Sequence, residues 1–272
     1  MLDNFYLAQQ SLRQIREDMP RGFYRQLPKL AAGPFQGYPR IYAIAQELVA
    51  SSDARLDLEQ VQRFVWLYQD ARLLTTGELW ALPVMLRHSV LTVLTQTAVQ
   101  ITAHPGAPTA SPQFVKGVFD AETQSGRGSQ REKQSALRPD FSALPLRLRA
   151  SASKVVALQT GSGKQGAPAQ PLAGSLTNDE IVANCFTSLR AIANYDWMDF
   201  FEHVSRVEQI LRSDPADVYA GMDRVTRNRY RKVIEDLALA NKQSELEVAH
   251  TAITLATAAW STLPVNPAPD AD

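Results

Sequence analysis

The sequence predicts an all-α protein: an irregular bundle of about seven or eight helices carrying a long disordered central insert. Three observations predict it. In two blocks, residues 1–103 and 176–263, apolar residues recur at three-to-four spacing, the period of one helix face. Several of these runs open on a small polar residue followed by Glu or Gln three positions later, the signature of a capped helix start. Neither block contains a clear alternating run of the kind a half-buried strand requires.

The first helix is expected over residues 3–19, with Phe5, Leu12, Ile15 and Met19 as its apolar stripe and Pro20 as its stop. Residues 20–39 are dense in Pro and Gly and read as a loop. Pro39 can occupy a first turn, where its missing N–H costs nothing, and open a helix carrying Ile41, Ile44, Ala45 and Leu48. Asp57 with Gln60 caps the next helix, whose stripe is Leu58, Val61, Phe64, Val65 and Tyr68. Thr76 with Glu78 starts a long helix to about Ala103, in which Pro83 must lie in the first two turns or produce a kink.

Residues 104–175 hold seven Pro and eight Gly and lack Ile, Met, Tyr, Trp and Cys. Such a segment cannot bury enough apolar surface to offset ordering costs of ~1–2 kcal/mol per residue, so a disordered linker is expected. Only Phe114 to Phe119 and Leu144 to Leu148 could dock locally.

Order is expected to resume at Thr177, which forms a capping box with Glu180 ahead of Ile181, Cys185, Leu189 and Ile192. One helix should run from Trp197 through Phe200, Val204, Val207 and Leu211, ending before Pro215. Another, from Asp223, presents Tyr230, Val233, Ile234 and Leu237. Ser244 with Glu247 opens the last, carrying Leu246, Ala249, Ile253 and Trp260, and residues 264–272 should fray.

Totals exclude some functions. The 28 basic and 28 acidic residues balance, which argues against nucleic acid or another polyanion as partner. A single cysteine, Cys185, excludes an internal disulfide and a multi-Cys zinc site. No secretory leader is evident, and the most apolar stretch, Ser89 to Ala103, is short of the ~20 residues a membrane span needs.

Four clusters invite a chemical reading. Gly161-Ser162-Gly163-Lys164 resembles a phosphate loop, but Leu158 and Gln165 stand where that motif needs Gly and Ser/Thr, so it reads as linker. Asp199, Glu202 and His203 are helical neighbours and could hold a metal or form an acid–base pair. They lack a second nearby histidine, and acids are favoured in a first turn by the helix dipole alone. Arg224, Arg227, Arg229, Arg231 and Lys232 could touch phosphates, whether of nucleic acid or of anionic lipid, but read better as a solvated, salt-bridged surface. The aromatics Trp66, Tyr68, Trp80, Trp197, Phe200, Phe201 and Trp260 could stack on sugars, yet at helical spacing they read as core, and Cys185 reads as a small buried hydrophobe. No catalytic, cofactor or metal residue is therefore assigned.

A family resemblance emerges from ordered segments. Pro28-Lys29-Leu30, Gly37-Tyr38-Pro39-Arg40-Ile41-Tyr42 with Glu47-Leu48-Val49-Ala50, and Leu74-Thr75-Thr76-Gly77-Glu78-Leu79-Trp80-Ala81-Leu82-Pro83 carry it in the first block. Thr187-Ser188-Leu189-Arg190, Asp196-Trp197, Val207 to Arg212, Asp214-Pro215, Tyr219, Met222-Asp223, Thr226-Arg227, Arg229-Tyr230-Arg231 and Ser244 to Ala249 carry it in the second. Together these resemble the N-terminal cytoplasmic region of cyclic β-1,2-glucan synthases, membrane glycosyltransferases that use UDP-glucose. Arg224-Val225 and Asn228 depart from that family's pattern, as does the whole of 104–175, which replaces a charged helical connector. Neither block contains an Asp-x-Asp or Gln-x-x-Arg-Trp motif, so glucosyl transfer does not carry over.

The resemblance implies a non-catalytic scaffold or regulatory region, at the cytoplasmic face of the inner membrane. Its expected partner is a membrane glycosyltransferase or the remainder of the synthase, with Trp80 and the Tyr219–Tyr230 segment as contact candidates. The odd composition of 104–175 also suggests a decayed or frameshifted gene fragment. An independent helical adaptor is the alternative, and a small enzyme centred on Asp199, Glu202 and His203 a third reading.

Overall fold

A computed structural model describes residues 2–102 apart from Gly33, and residues 176–262, with side chains from Tyr6 onward. The expected linker over 104–175, including Gly161–Lys164, and the tail over 264–272 lie outside the described residues. Among those described there are eleven helices and no strand, with one isolated antiparallel bridge between Lys29 and Pro39. The all-α expectation holds. The count exceeds seven or eight because of short pieces: one helix forms in the Pro-rich loop, one expected helix is broken in two, and one is a single turn.

The chain divides into two units, Met1–Trp197 and Met198–Asp272. The first contains α1 (Leu2–Asp18), α2 (Arg21–Gln26), α3 (Arg40–Ser51), α4 (Leu58–Ala71), α5 (Thr76–Thr102) and α6 (Asn178–Asn194). Helix α5 is its axis and packs on α1, α3 and α6. Every residue from Ala81 to Leu91 is buried, as expected of a helix apolar on all sides. Pro83 sits inside α5, where it cannot donate to the carbonyl of Leu79.

Helix starts follow the caps. Asp57 accepts from the backbone N–H of Glu59 and Gln60, and Thr177 with Glu180 forms a full capping box. The α5 cap is Thr75 rather than Thr76: Glu78 N–H donates to Thr75 Oγ1 at 3.2 Å, and Thr75 N–H donates back to Glu78 Oε2 at 3.0 Å. The buried stripe of α1 is Ser11 and Ile15, continued by Met19 just past its end, and the expected Leu12 is 40% exposed.

Helix α6 joins the first unit despite lying beyond the central stretch. It pins a turn in which Asp53 and Ala54 adopt left-handed backbone, φ 51° and 60°, unusual for non-glycine residues. The buried Ser188 hydroxyl donates to the Ala54 carbonyl at 2.6 Å and accepts from the Leu56 N–H at 2.8 Å. Asn184 adds a bond to the Asp53 carbonyl at 3.1 Å. Cys185 is fully buried on the same helix, and burial pushes its thiol up to about 11, so it behaves as a small hydrophobe.

His88 lies on α5 with its ring edge-to-face with Tyr42, centroids 5.8 Å apart. Burial pushes its imidazole down from 6.5 to about 4. The unfolded chain therefore takes up this proton before the folded one does. Its contribution is complete above pH 6.5 and is lost progressively as pH falls towards 4, by ~3 kcal/mol at most. Urea unfolding of His88→Gln should show a flatter dependence on pH across that window. An unchanged slope would remove His88 as its source.

The second unit contains the body of α7 (Trp197–Val204) with α8 (Arg206–Leu211), α9 (Val218–Gly221), α10 (Arg224–Asn241) and α11 (Glu245–Thr262). The expected single helix from Trp197 to Leu211 breaks at Ser205, whose Oγ accepts from the Glu208 N–H at 3.2 Å and so caps α8. Helix α11 packs on α8 and α10. One apolar cluster of this unit comprises Val207, Leu211, Tyr219, Ile234 and Ala249, with Leu246 and Ile253 partly buried against it, and Phe200, Phe201, Val204 and Ala238 are buried as well.

Two helices bury faces other than those expected. Of the four apolar residues assigned to the buried face of α10, only Ile234 is buried; Tyr230, Val233 and Leu237 are exposed. The face turned inward is Arg227, Arg231, Ile234 and Ala238. At the end of α11, Trp260 is exposed rather than core.

Candidate functional site

Arg231 explains the reversal of α10. Its side chain is fully buried, and so is that of Glu208 on α8. A buried charge of either sign is tolerable only with an opposite partner and satisfied hydrogen bonds. Arg231 Nη1 donates to Glu208 Oε2 at 2.5 Å, and the guanidinium lies over the Phe201 ring at 4.8 Å. Among the described residues its Nε and Nη2 have no hydrogen-bond partner, so Glu208 is its principal anchor.

Three further groups converge on Glu208. Tyr219 Oη donates to Oε2 at 2.7 Å and Arg212 Nε to Oε1 at 2.8 Å, while Arg227 Nε lies 3.6 Å from Oε1. Arg227 is held from several sides. Its Nη2 donates to Glu202 Oε1 at 2.7 Å, and its Nη1 to the carbonyls of Ala220 and Met222 at 3.1 and 2.9 Å. Arg212 Nη2 also reaches Glu202 Oε2 at 3.2 Å. Two carboxylates thus bind three guanidiniums, tying α7, α8 and α10 together through the α9 turn.

Burial alone would raise the Glu208 carboxyl, but hydrogen bonds from Tyr219, Arg231 and Arg212 outweigh it and hold it below its ordinary value. Burial, and then the bond to Glu208, push the Tyr219 phenol upward. The Glu202 hydrogen bond raises Arg227. A general acid or base needs access to its substrate and a pKa near working pH. Glu208 has neither, and its oxygens are already engaged. Chemically, this arrangement is a clamp.

The triad of Asp199, Glu202 and His203 does not assemble. Glu202 turns to Arg227 and Arg212, while Asp199 and His203 remain half-exposed, 3.3 Å apart, with Arg224 3.7 Å from Asp199. Among the described residues no group of three or more His, Cys, Asp or Glu could hold a metal ion. The basic run is salt-bridged, as expected, but only partly solvated: Arg227 and Arg231 are buried, and Arg224, Arg229 and Lys232 lie outside. Lys232 pairs with Glu235 and Asp236 at 3.0 and 3.1 Å. Of the aromatics, Tyr68, Phe200 and Phe201 are core; Trp66, Trp80 and Trp197 are partly buried.

A second buried pair occupies the first unit. Arg40, at the start of α3, donates through Nε to Glu78 Oε1 at 2.8 Å and through Nη2 to Glu78 Oε2 and the Leu73 carbonyl, the latter at 2.8 Å. Sequence reasoning singled out neither this pair nor Glu208. One signal was available for Glu208: Ser205 stands three residues before it, in the capping spacing.

No family model matches the chain. It is 28% identical over 267 residues to the cyclic beta-(1,2)-glucan synthase NdvB of Rhizobium meliloti (strain 1021). The match covers 94% of this chain and 9% of that protein. The resemblance read from the ordered segments is thereby supported. Among the described residues, no helix is long and apolar enough to cross a membrane.

Proposed function

We propose that this chain is a non-catalytic helical scaffold or regulatory region in cyclic β-1,2-glucan synthesis, acting on a membrane glycosyltransferase from its cytosolic face. The observation that carries this reading is the match itself: nearly all of this chain aligns with only 9% of a glucan synthase. The geometry is in keeping with it, because the segments that carry the resemblance meet in structural ion pairs. Pro39-Arg40 meets Thr75 to Glu78 in one unit, and Glu208 meets Tyr219, Arg227 and Arg231 in the other.

The contact candidates are revised by burial. Tyr219 is 4% exposed and spends its hydroxyl on Glu208, so it cannot face a partner. Val218, Val225 and Tyr230 are the exposed apolar residues of that region, and Trp80 is partly buried. A contact with anionic lipid would fall to Arg224, Arg229 and Lys232, since Arg227 and Arg231 are enclosed.

The test is capture of the tagged full chain from detergent-solubilised membranes of a bacterium that makes cyclic β-1,2-glucan. Co-capture of the synthase, with altered glucan output on overexpression, is the expected result. Absence of the synthase from the captured fraction would overturn the scaffold reading. UDP-glucose consumption by the purified chain would overturn the non-catalytic one.

A further inference from the structure

Helix α10 carries two seams with the same spacing. One is the buried face, Arg227, Arg231, Ile234 and Ala238. The other is Thr226, Tyr230, Val233, Leu237 and Ala240, spaced four, three, four, three. That average of ~3.5 residues is the repeat that keeps a helix face in register with a partner helix. Yet in this second seam Tyr230 is 48%, Val233 55% and Leu237 46% exposed. Isolated surface apolar residues are ordinary; an ordered stripe of them, Tyr230, Val233 and Leu237 on one face, marks a contact face.

The identity of the partner follows from symmetry. The seam is centred on Val233, with Tyr230 and Leu237 on either side and Thr226 and Ala240 at its ends. Beside it lie two exposed charges of opposite sign, Arg229 and Asp236, also placed about that centre. An antiparallel copy of the same helix, related by a two-fold axis at Val233, would set Arg229 of each chain against Asp236 of the other, twice. It would also set Tyr230 against Leu237. Pairing in parallel would lose the charge complementarity. We propose that this seam is a homodimer interface, α10 packed antiparallel on α10 of a second copy.

The face is also held in shape. Tyr230 lies edge-to-face with Tyr219 at 5.9 Å, and Tyr219 is anchored on Glu208, so the ion cluster behind α10 braces the seam in front. Asp236 already attracts Lys232 of its own helix, but both side chains are about 60% exposed and can be shared. A single helix pair buries less than the ~800 Å² per partner of a standard interface, so a concentration-dependent dimer is expected.

Sedimentation equilibrium of the full chain tests this. The mass should rise from 30.1 kDa towards twice that value as concentration passes through the micromolar range. Val233→Asp should hold it at the monomer mass. R229D and D236R should each weaken association by about tenfold, because two attractive pairs become repulsive. The double swap R229D/D236R should restore it, an outcome that misfolding cannot imitate. A monomer at all concentrations, leaving the seam to another protein or to lipid, would overturn the proposal, as would swap variants that dimerise like the parent.

Discussion

Glu208→Ala is expected to unfold the second unit or bring it to the edge of unfolding. The substitution leaves Arg231 fully buried with no carboxylate, takes one of the two carboxylates beside Arg227 and Arg212, and orphans the buried Tyr219 hydroxyl. Breaking a buried pair from one side costs about 3–5 kcal/mol, because the surviving charge keeps its desolvation penalty. The unit is short, Met198–Asp272, and small units hold little stability in reserve. Hydrogen exchange should show the amides of α10 losing protection while those of α5 keep it. A loss below ~1 kcal/mol in urea unfolding would sink the clamp. The replacement Glu208→Leu with Arg231→Met and Tyr219→Phe should recover much of the loss, since it removes the charges together. Acid should act in the same direction. The Glu208 carboxyl is held low in the fold, so its stabilisation is present above the ordinary carboxylate value and is lost as pH falls through the folded one.

Most helices were legible because their caps are written locally. Asp57, Thr177, Asp223 and Ser244 each lie within three residues of the N–H they satisfy. The α10 face was not legible for the opposite reason. Its partners, Glu202 and Glu208, lie 25 and 23 residues away, and nothing local distinguishes an arginine that will meet them from one that will meet water. Tyr230, Val233 and Leu237 offered a more apolar stripe, and hydrophobic phasing alone chooses it. Only Ile234 and Ala238, in phase with Arg227 and Arg231, hinted at the true face. Glu202 misled in the same way. Spacing placed it beside His203, while its tertiary partners drew it to Arg227 and Arg212. The short helices escaped notice because Arg21–Gln26 and Val218–Gly221 are too brief to show a period.

In the first unit, Glu78→Ala should cost more than either an ion pair or a cap alone, because one carboxylate serves as both. Its Oε2 accepts from the Thr75 N–H and hydroxyl at 3.0 and 3.2 Å, closing the cap of α5. The same carboxylate takes two donors from Arg40, whose side chain is 13% exposed against 0% for Glu78. Arg40 also donates to the Leu73 carbonyl at 2.8 Å, so the start of α3, the end of the α4–α5 connection and the start of α5 share one knot. Losing the cap costs about 1 kcal/mol, and stranding Arg40 about 3–5. Glu78→Gln separates the two. Its amide oxygen can still accept from Thr75, so it should retain the cap yet lose the charge pairing. The order of stability should therefore be parent, then Glu78→Gln, then Glu78→Ala, read from urea midpoints followed by far-UV circular dichroism. Equal midpoints for Gln and Ala would show that the cap contributes nothing, and a Gln variant as stable as the parent would show the same of the ion pair. Because α5 packs on α1, α3 and α6, loosening its first turn should lower protection along all of them.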